Sequence, residues 1–153
     1  MSRTFFITAS TAQRRAILQS GAMSGLLFDV FAKIRERGVL LHEFVIMPEH
    51  FHVLATVPDQ LTVERVAQLI KGGFSFRAKR ELGFAGEVWS PGYHDRRVRT
   101  AEESQSIRRY IRQNPVARGL ARAVEEYPWS SANPRFKLDA LTPEAKASFS
   151  SAL

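Results

Sequence analysis

The stretch from Met47 to Pro58, Met-Pro-Glu-His-Phe-His-Val-Leu-Ala-Thr-Val-Pro, narrows the possible folds more than any other. After Pro48 and Glu49 it alternates with the period of two that a strand requires. Phe51, Val53, Ala55 and Val57 share one face, which is wholly apolar and is read as turned to a core. His50, His52, Leu54 and Thr56 share the other. The two imidazoles lie one strand repeat apart, about 7 Å along the chain at ~3.3 Å per residue, and side chains of that reach can converge on one metal ion. Two half-exposed histidines on a sheet surface would give the same pattern, and His-x-His alone has many chance matches. The rest of the chain has to decide.

Val39 to Met47 reads as a second strand, and only Pro48 and Glu49 separate it from the His50 strand, so the two should form an antiparallel hairpin. Thr4 to Ala9 is aromatic and β-branched and reads as the first strand. Thr11 to Ser20 is read as a loop or one helical turn. From Ser24 the period changes: Leu27, Val30, Phe31 and Ile34 recur at helical spacing, with Lys33, Arg35 and Arg37 towards the end and Gly38 as the stop. Strand, helix, strand, strand is the start of a split βαβ arrangement. The fold class is therefore α+β, a ferredoxin-like (RRM-like) antiparallel sheet.

Leu61 to Ile70 predicts a second helix with Val63, Val66, Ala67 and Ile70 on one face, and Gly72-Gly73 should interrupt or kink it. Phe74 and Phe76 then alternate with Lys71, Arg77, Lys79 and Arg80. That interleaving suits a single-stranded nucleic acid, with cations for phosphates and rings for bases. It suits equally well two core phenylalanines under a solvated cationic rim. Gly83 to Gly92 reads as loop, with room for a short strand, Val88 to Ser90, around Trp89. Tyr93 to Arg99 should be the last strand, made cationic by Arg96, Arg97 and Arg99.

Thr100-Ala-Glu-Glu103 is a capping box and starts a third helix. Ile107 and Ile111 mark its buried face; Arg108, Arg109 and Arg112 mark a basic one. Tyr110 sits mid-helix. Asn114, four residues on, shares its face if the helix reaches that far, and Gln113 is the rival polar partner. Pro115 disfavours helical geometry at Asn114, so the helix should end there, or Asn114 should cap a short helix from Val116 to Val124 that has Pro115 at its first position. Tyr127 and Trp129 are packing anchors. The domain is placed at residues 1–131, with 132–153 as a tail holding one short helix near Thr142-Pro143-Glu144.

Composition bounds the function. The 153 residues suffice for one domain with a core. With no cysteine there is no disulfide framework, zinc-thiolate site or cysteine nucleophile. No apolar run approaches 18 residues, and the first residues lack the apolar stretch of a signal peptide, so the expected place is the cytoplasm. The net charge of +7, from 22 Lys+Arg against 15 Asp+Glu, favours a polyanionic partner. No helix sets a broad apolar face against a lysine face, which points to nucleic acid rather than a membrane.

Together these segments resemble the single-tyrosine HUH transposases, and more closely the REP-associated tyrosine transposases linked to repetitive extragenic palindromes in bacteria. The likeness is carried by Phe-Ile-Thr near the start, Met47 to Val57, Ile70-Lys-Gly-Gly-Phe-Ser-Phe-Arg77, and Gly86-Glu-Val-Trp89 with Tyr93 to Arg99. Arg109-Tyr-Ile-Arg-Gln-Asn-Pro-Val116 with Gly119-Leu120, and Tyr127-Pro-Trp-Ser-Ser131, complete it. The resemblance implies a sheet with helices on one face and the active site on the other. It implies His50 and His52 as metal ligands, Tyr110 as nucleophile and Asn114 as the polar ligand one turn later. Glu49 stands where the family usually has asparagine, placing a negative charge beside the metal.

The implied activity is metal-dependent cleavage and strand transfer on single-stranded, hairpin-forming repeat DNA through a 5′-phosphotyrosine, with Mg²⁺ or Mn²⁺ as cofactor. The implied protein is bacterial, nucleoid-associated when bound, and a monomer or homodimer. The expected DNA contacts are Lys71, Arg77, Lys79, Arg80, Arg96, Arg97 and Arg99. A histidine-triad nucleotide hydrolase would need a third histidine where Leu54 stands. The remaining alternative is a non-catalytic hairpin DNA- or RNA-binding module derived from such a transposase.

Overall fold

In a computed structural model, which describes residues 2–139, the chain runs β1 (Arg3–Ser10), α1 (Gly21–Arg35), β2 (Leu40–Ile46), β3 (His50–Val57), α2 (Val63–Leu82), β4 (His94–Val98) and α3 (Ala101–Ala117), with 3₁₀ turns at Ala12–Arg14 and Val124–Glu126. The four strands form one antiparallel sheet in the order β2-β3-β1-β4. This is the ferredoxin-like order expected from the sequence, with the His50 strand at the centre.

The pleat divides the side chains between two layers. Phe5, Ile7, Ala9, Phe44, Phe51, Val53, Ala55 and Val57 face α1 and α2 and form the larger core with Leu27, Val30, Phe31, Val66, Ile70 and Phe74. The Phe31 ring stands edge-on to Phe44 and Phe51, with centroids 5.8 and 5.4 Å away, a geometry that adds to simple area burial. On the opposite face Val45, Met47, Leu54 and Val98 pack under Ile107 and Ile111 of α3. The site face is therefore not bare: it carries the tyrosine helix.

Two helices depart from expectation. α2 runs unbroken through Gly72-Gly73. A Cβ at Gly73 would meet Val30 Cγ1 at 3.4 Å, an ordinary contact distance, so the helix is continued by the burial of Val66, Ile70, Phe74 and Ala78 on either side, which outweighs glycine's weak helix propensity. Phe74 then falls in the core while Phe76 is 62% exposed, so the two phenylalanines have different fates. α3 continues through Pro115 to Ala117. Proline removes one helical hydrogen bond, but Asn114 and Pro115 are both buried, and the Arg118 and Gly119 N–H groups close the last turn on Asn114 and Val116 carbonyls. No helix follows over Val116 to Val124; the chain turns at Gly119, where φ is +74°, into the second 3₁₀ turn.

The segment after this turn covers the open edge of β2. Ile46 N–H donates to Trp129 O, Ser131 N–H to Phe44 O, and Tyr127 Oη to Ile46 O, which occupies an edge otherwise free to pair with another chain. Residues 132–139 stay against the domain. Phe136 packs on Phe28 and Phe44, and Asp139 accepts two hydrogen bonds from Arg35 and one from Leu41 N–H. The helix expected near Thr142-Pro143-Glu144 lies outside the described residues.

Glu43 ties these layers together. Its side chain is 2% exposed; Arg108 and Arg112 of α3 reach Oε1 at 3.2 and 3.5 Å, and Ser131 Oγ donates to Oε2. Two cations expected on an open basic face of α3 are thus engaged with the sheet. Arg108 and Arg112 are 35% and 43% exposed and regain water when the carboxylate is removed, so Glu43→Ala should lower stability in urea unfolding by about 1–2 kcal/mol, from the lost hydrogen bonds to the charged group.

Candidate active site

The side chains of β3 alternate strictly, so His50 and His52 face α3. Both are buried, at 5% and 6% exposure. Their ring centroids lie 4.7 Å apart. Tyr110 projects from α3 onto this pair, its ring 5.3 Å from His52 and 6.1 Å from Phe6, edge-on to both. It stays 53% exposed.

Each imidazole is held through Nδ1. Thr8, directly across from His52 on β1, places Oγ1 2.7 Å from His52 Nδ1. Glu49 Oε1 lies 2.9 Å from His50 Nδ1. Such partners fix ring orientation and leave Nε2 for a ligand. His52 Nε2 is buried and has no hydrogen-bond partner.

Asn114 is buried, and its Oδ1 is also without a partner. Its position follows from its neighbours one turn away on α3. Tyr110 lies against His52, and Arg118 reaches Glu49, the residue before His50. Asn114, between them on the same helix face, is therefore turned towards the histidines. Gln113 is exposed and drops out as the rival.

An unpaired buried polar atom costs about 1–3 kcal/mol. The two unpaired atoms, an imidazole nitrogen on β3 and an amide oxygen on α3, which packs over that face of the sheet, are donors of the kind a divalent cation takes. Among the described residues no three His, Cys, Asp or Glu side chains are grouped to hold a metal; a cation here would take the two imidazoles with an amide oxygen as its third protein donor. Mixed nitrogen and oxygen donors suit Mn²⁺ better than Mg²⁺, which prefers oxygen.

Burial pushes the His52 imidazole down to about 3, helped by the charge of His50; burial also lowers His50, against the opposing pull of Glu49. Both are thereby kept neutral, the form that binds metal. Because the unfolded chain takes up a proton near 6.5 and folded His52 does not, stability of the metal-free protein falls as pH drops below 6.5 and continues falling to about 3. By pH 5 this residue alone should cost about 2 kcal/mol, read as a fall in Tm of about 4–8 °C between pH 7.5 and 5.

The expected DNA-contacting cations are scattered. Arg96 pairs across from Phe6, so it points to the site face beside Tyr110; it is exposed and lies 3.6 Å from Glu103. Arg97 pairs across from Phe5 and points to the other face; Arg99 is exposed just beyond β4. Lys79 and Arg80 are exposed on the last turns of α2, in the layer behind the sheet. Lys71 Nζ donates to Ser90 and Gly92 carbonyls and braces the loop before β4. Arg77 is paired with Glu81 and Asp29. Thr8, Arg14 and Arg118 reach the site or its turn without having been expected there. Cross-strand register brings in Thr8, the 3₁₀ turn after β1 brings in Arg14, and the course of α3 past Pro115 brings in Arg118, and none of these is written in local sequence.

Residues 4–114 match the family model described as "Transposase IS200 like", and the chain belongs to this family of IS200-like transposases. Within it, the chain is similar to the REP-associated tyrosine transposase of Escherichia coli K12, 25% identical over 134 residues that span 84% of this chain and 75% of that protein. A REP-associated tyrosine transposase solved with a REP hairpin superposes with a TM-score of 0.68 at 23% identity, over 92% of this chain and 86% of that one. A putative transposase from Deinococcus radiodurans gives a TM-score of 0.56 at 20% identity, over 72% and 89%. The resemblance read from the sequence segments and these matches agree. Among the described residues no helix is long and apolar enough to cross a membrane.

Proposed function

We propose that this protein is a metal-dependent single-stranded DNA endonuclease and strand transferase that acts on hairpin-forming repeat DNA through a 5′-phosphotyrosine at Tyr110. One observation carries the reading: Tyr110 packs edge-on against His52, whose Nε2 is buried and unpaired, and the amide oxygen of Asn114, one turn further along α3, is buried and unpaired as well. A pure binding module has no use for that combination.

In this reading Tyr110 Oη attacks the scissile phosphorus. The new O–P bond forms as the P–O3′ bond breaks, and the 3′ oxygen leaves with the electron pair. The tyrosine's proton is lost and the leaving oxygen gains one, so the products are a phosphotyrosine and a free 3′-hydroxyl. One ester replaces another, so the strand can be rejoined without ATP. His50, His52 and Asn114 would hold the divalent ion, which supplies charge stabilisation at the phosphate oxygens. Arg96, on the same face, offers a cation to the strand being cut. Lys79, Arg80, Arg97 and Arg99 would meet DNA away from the reacting phosphate, and Lys71 and Arg77 are the weakest candidates because they are engaged within the protein. The tyrosine and histidines meet within one chain, so the reacting unit we propose is a monomer, at work on the nucleoid of a bacterial cytoplasm.

The test is incubation of the protein with single-stranded oligonucleotides from palindromic repeats near its own gene, with Mn²⁺ or Mg²⁺, resolved on a denaturing gel. A covalent protein–DNA adduct that needs metal and Tyr110 supports the reading. Hairpin binding with no adduct under any metal overturns it in favour of the non-catalytic binder.

A further inference from the structure

Glu49 is not a bystander in the turn between β2 and β3. Its side chain is 12% exposed. Its Oε1 lies 2.9 Å from His50 Nδ1, 3.0 Å from an Arg118 guanidinium nitrogen and 3.7 Å from one of Arg14. Its backbone carbonyl accepts from the N–H of Thr11 at 2.9 Å and from Thr11 Oγ1 at 3.1 Å. The carboxylate is thus held from two other parts of the fold, the loop after β1 and the end of α3. Arg118 stands one turn beyond Asn114, so the Arg118–Glu49 pair joins the helix that carries Asn114 and Tyr110 to the strand that carries His50.

We propose that Glu49 is a positioning residue with two tasks. It accepts the N–H of His50 Nδ1, so that Nε2 carries the lone pair offered to the divalent cation. Through Arg118 it sets the spacing between the metal-binding strand and the tyrosine helix. The proposal rests on the metal reading of the site given above. An uncharged amide at this position could accept from His50 but would not hold two guanidiniums. The carboxylate therefore does two things where an asparagine would do one. Thr8 is the counterpart for His52, from β1.

Two measurements on the full chain test this. The first is the ¹⁵N spectrum of the histidine rings in the metal-free protein, which reports the tautomer of each. Wild type should show His50 as the Nδ1–H form; Glu49→Ala should show a mixture; Glu49→Gln should keep the wild-type form, because its amide oxygen still accepts. The second is Mn²⁺ affinity by calorimetry. Glu49→Ala should bind about 10–100-fold more weakly, the usual effect of losing a partner that orients a metal-ligating histidine. Glu49→Gln should lose less. Arg118→Ala should also lose affinity while its His50 tautomer stays as in wild type. The Glu49→Ala/Arg118→Ala double variant should fall no further than Glu49→Ala, because both act through one contact.

A wild-type His50 in the Nε2–H form, or a Glu49→Ala protein that binds Mn²⁺ as tightly as wild type while His52→Ala does not, overturns the proposal. Equal losses added in the double variant overturn the link through Arg118. A wild type that binds no Mn²⁺ but shows the stated tautomers overturns the metal reading instead, and with it the cation half of the proposal, while the ring-orienting half stands.

Discussion

Tyr110→Phe should abolish the covalent protein–DNA adduct and strand cleavage, by about 10³-fold or more if the hydroxyl is the nucleophile, while hairpin binding is kept. The geometry makes this variant clean. The ring contacts with His52 and Phe6 are edge-on and do not involve the hydroxyl, and the residue is half exposed, so phenylalanine keeps the packing. Loss of affinity or of Tm in step with cleavage would mean the tyrosine is structural. The same variant tests the single-chain arrangement. Mixed with His52→Ala, it should remain inactive, because each chain builds its own site; recovered cleavage in the mixture would show that the tyrosine acts on a partner's histidines. A protein that cleaves as well with phenylalanine has another nucleophile, and the reading fails.

His52→Ala should have the second largest effect, and it moves two quantities in opposite directions. Mn²⁺ affinity should fall by more than about 100-fold, since a direct ligand is lost rather than a residue that orients one. Cleavage should fall with it. At the same time the metal-free protein should become less sensitive to acid. Folded His52 resists protonation down to about 3, and the unfolded chain does not, so its removal deletes the stability that wild type loses as pH falls below 6.5. The alanine also removes an unpaired buried nitrogen, which offsets part of the packing it gives up. His50→Ala should follow the same pattern for metal and cleavage. The comparison of Tm against pH between wild type and His52→Ala reads this directly. Full cleavage in both histidine variants would exclude the metal site. An unchanged pH dependence in His52→Ala would mean that the ring is not held neutral by burial.

How much of this was legible beforehand depends on how local each cause is. The strands were readable because their two faces differ in polarity residue by residue: Phe51, Val53, Ala55 and Val57 reach the core that their alternation predicted. The hairpin was readable because two residues leave little other geometry. The Thr100 cap was readable because it answers a backbone need one turn away, and its hydroxyl does accept from Glu103 N–H. The expected break of α2 at Gly72-Gly73 does not occur, and the extent of α3 past Pro115 is open in the sequence, for a shared reason. Glycine and proline propensities are worth a few kcal/mol at most, and the packing of whole helices, α2 on α1 through Val66, Ile70 and Phe74 and α3 on the sheet through Ile107 and Ile111, outweighs them. The cationic segments were only half readable. Composition shows how many arginines there are, but not that Arg108 and Arg112 turn inward to Glu43 or that Arg77 is taken by Glu81.

The sequence by itself determined the sheet, its alternation and the residue types of the candidate site, because those follow from period, charge and chemistry within a few neighbours. Only the tertiary structure decided which of them meet. The register of β1 on β3 puts Thr8 beside His52, and the path of α3 past Pro115 carries Asn114 and Arg118 to the histidine strand. Those contacts join residues tens of positions apart. They are selected by the packing of whole elements, whose free energy is shared over many side chains and written at no single position.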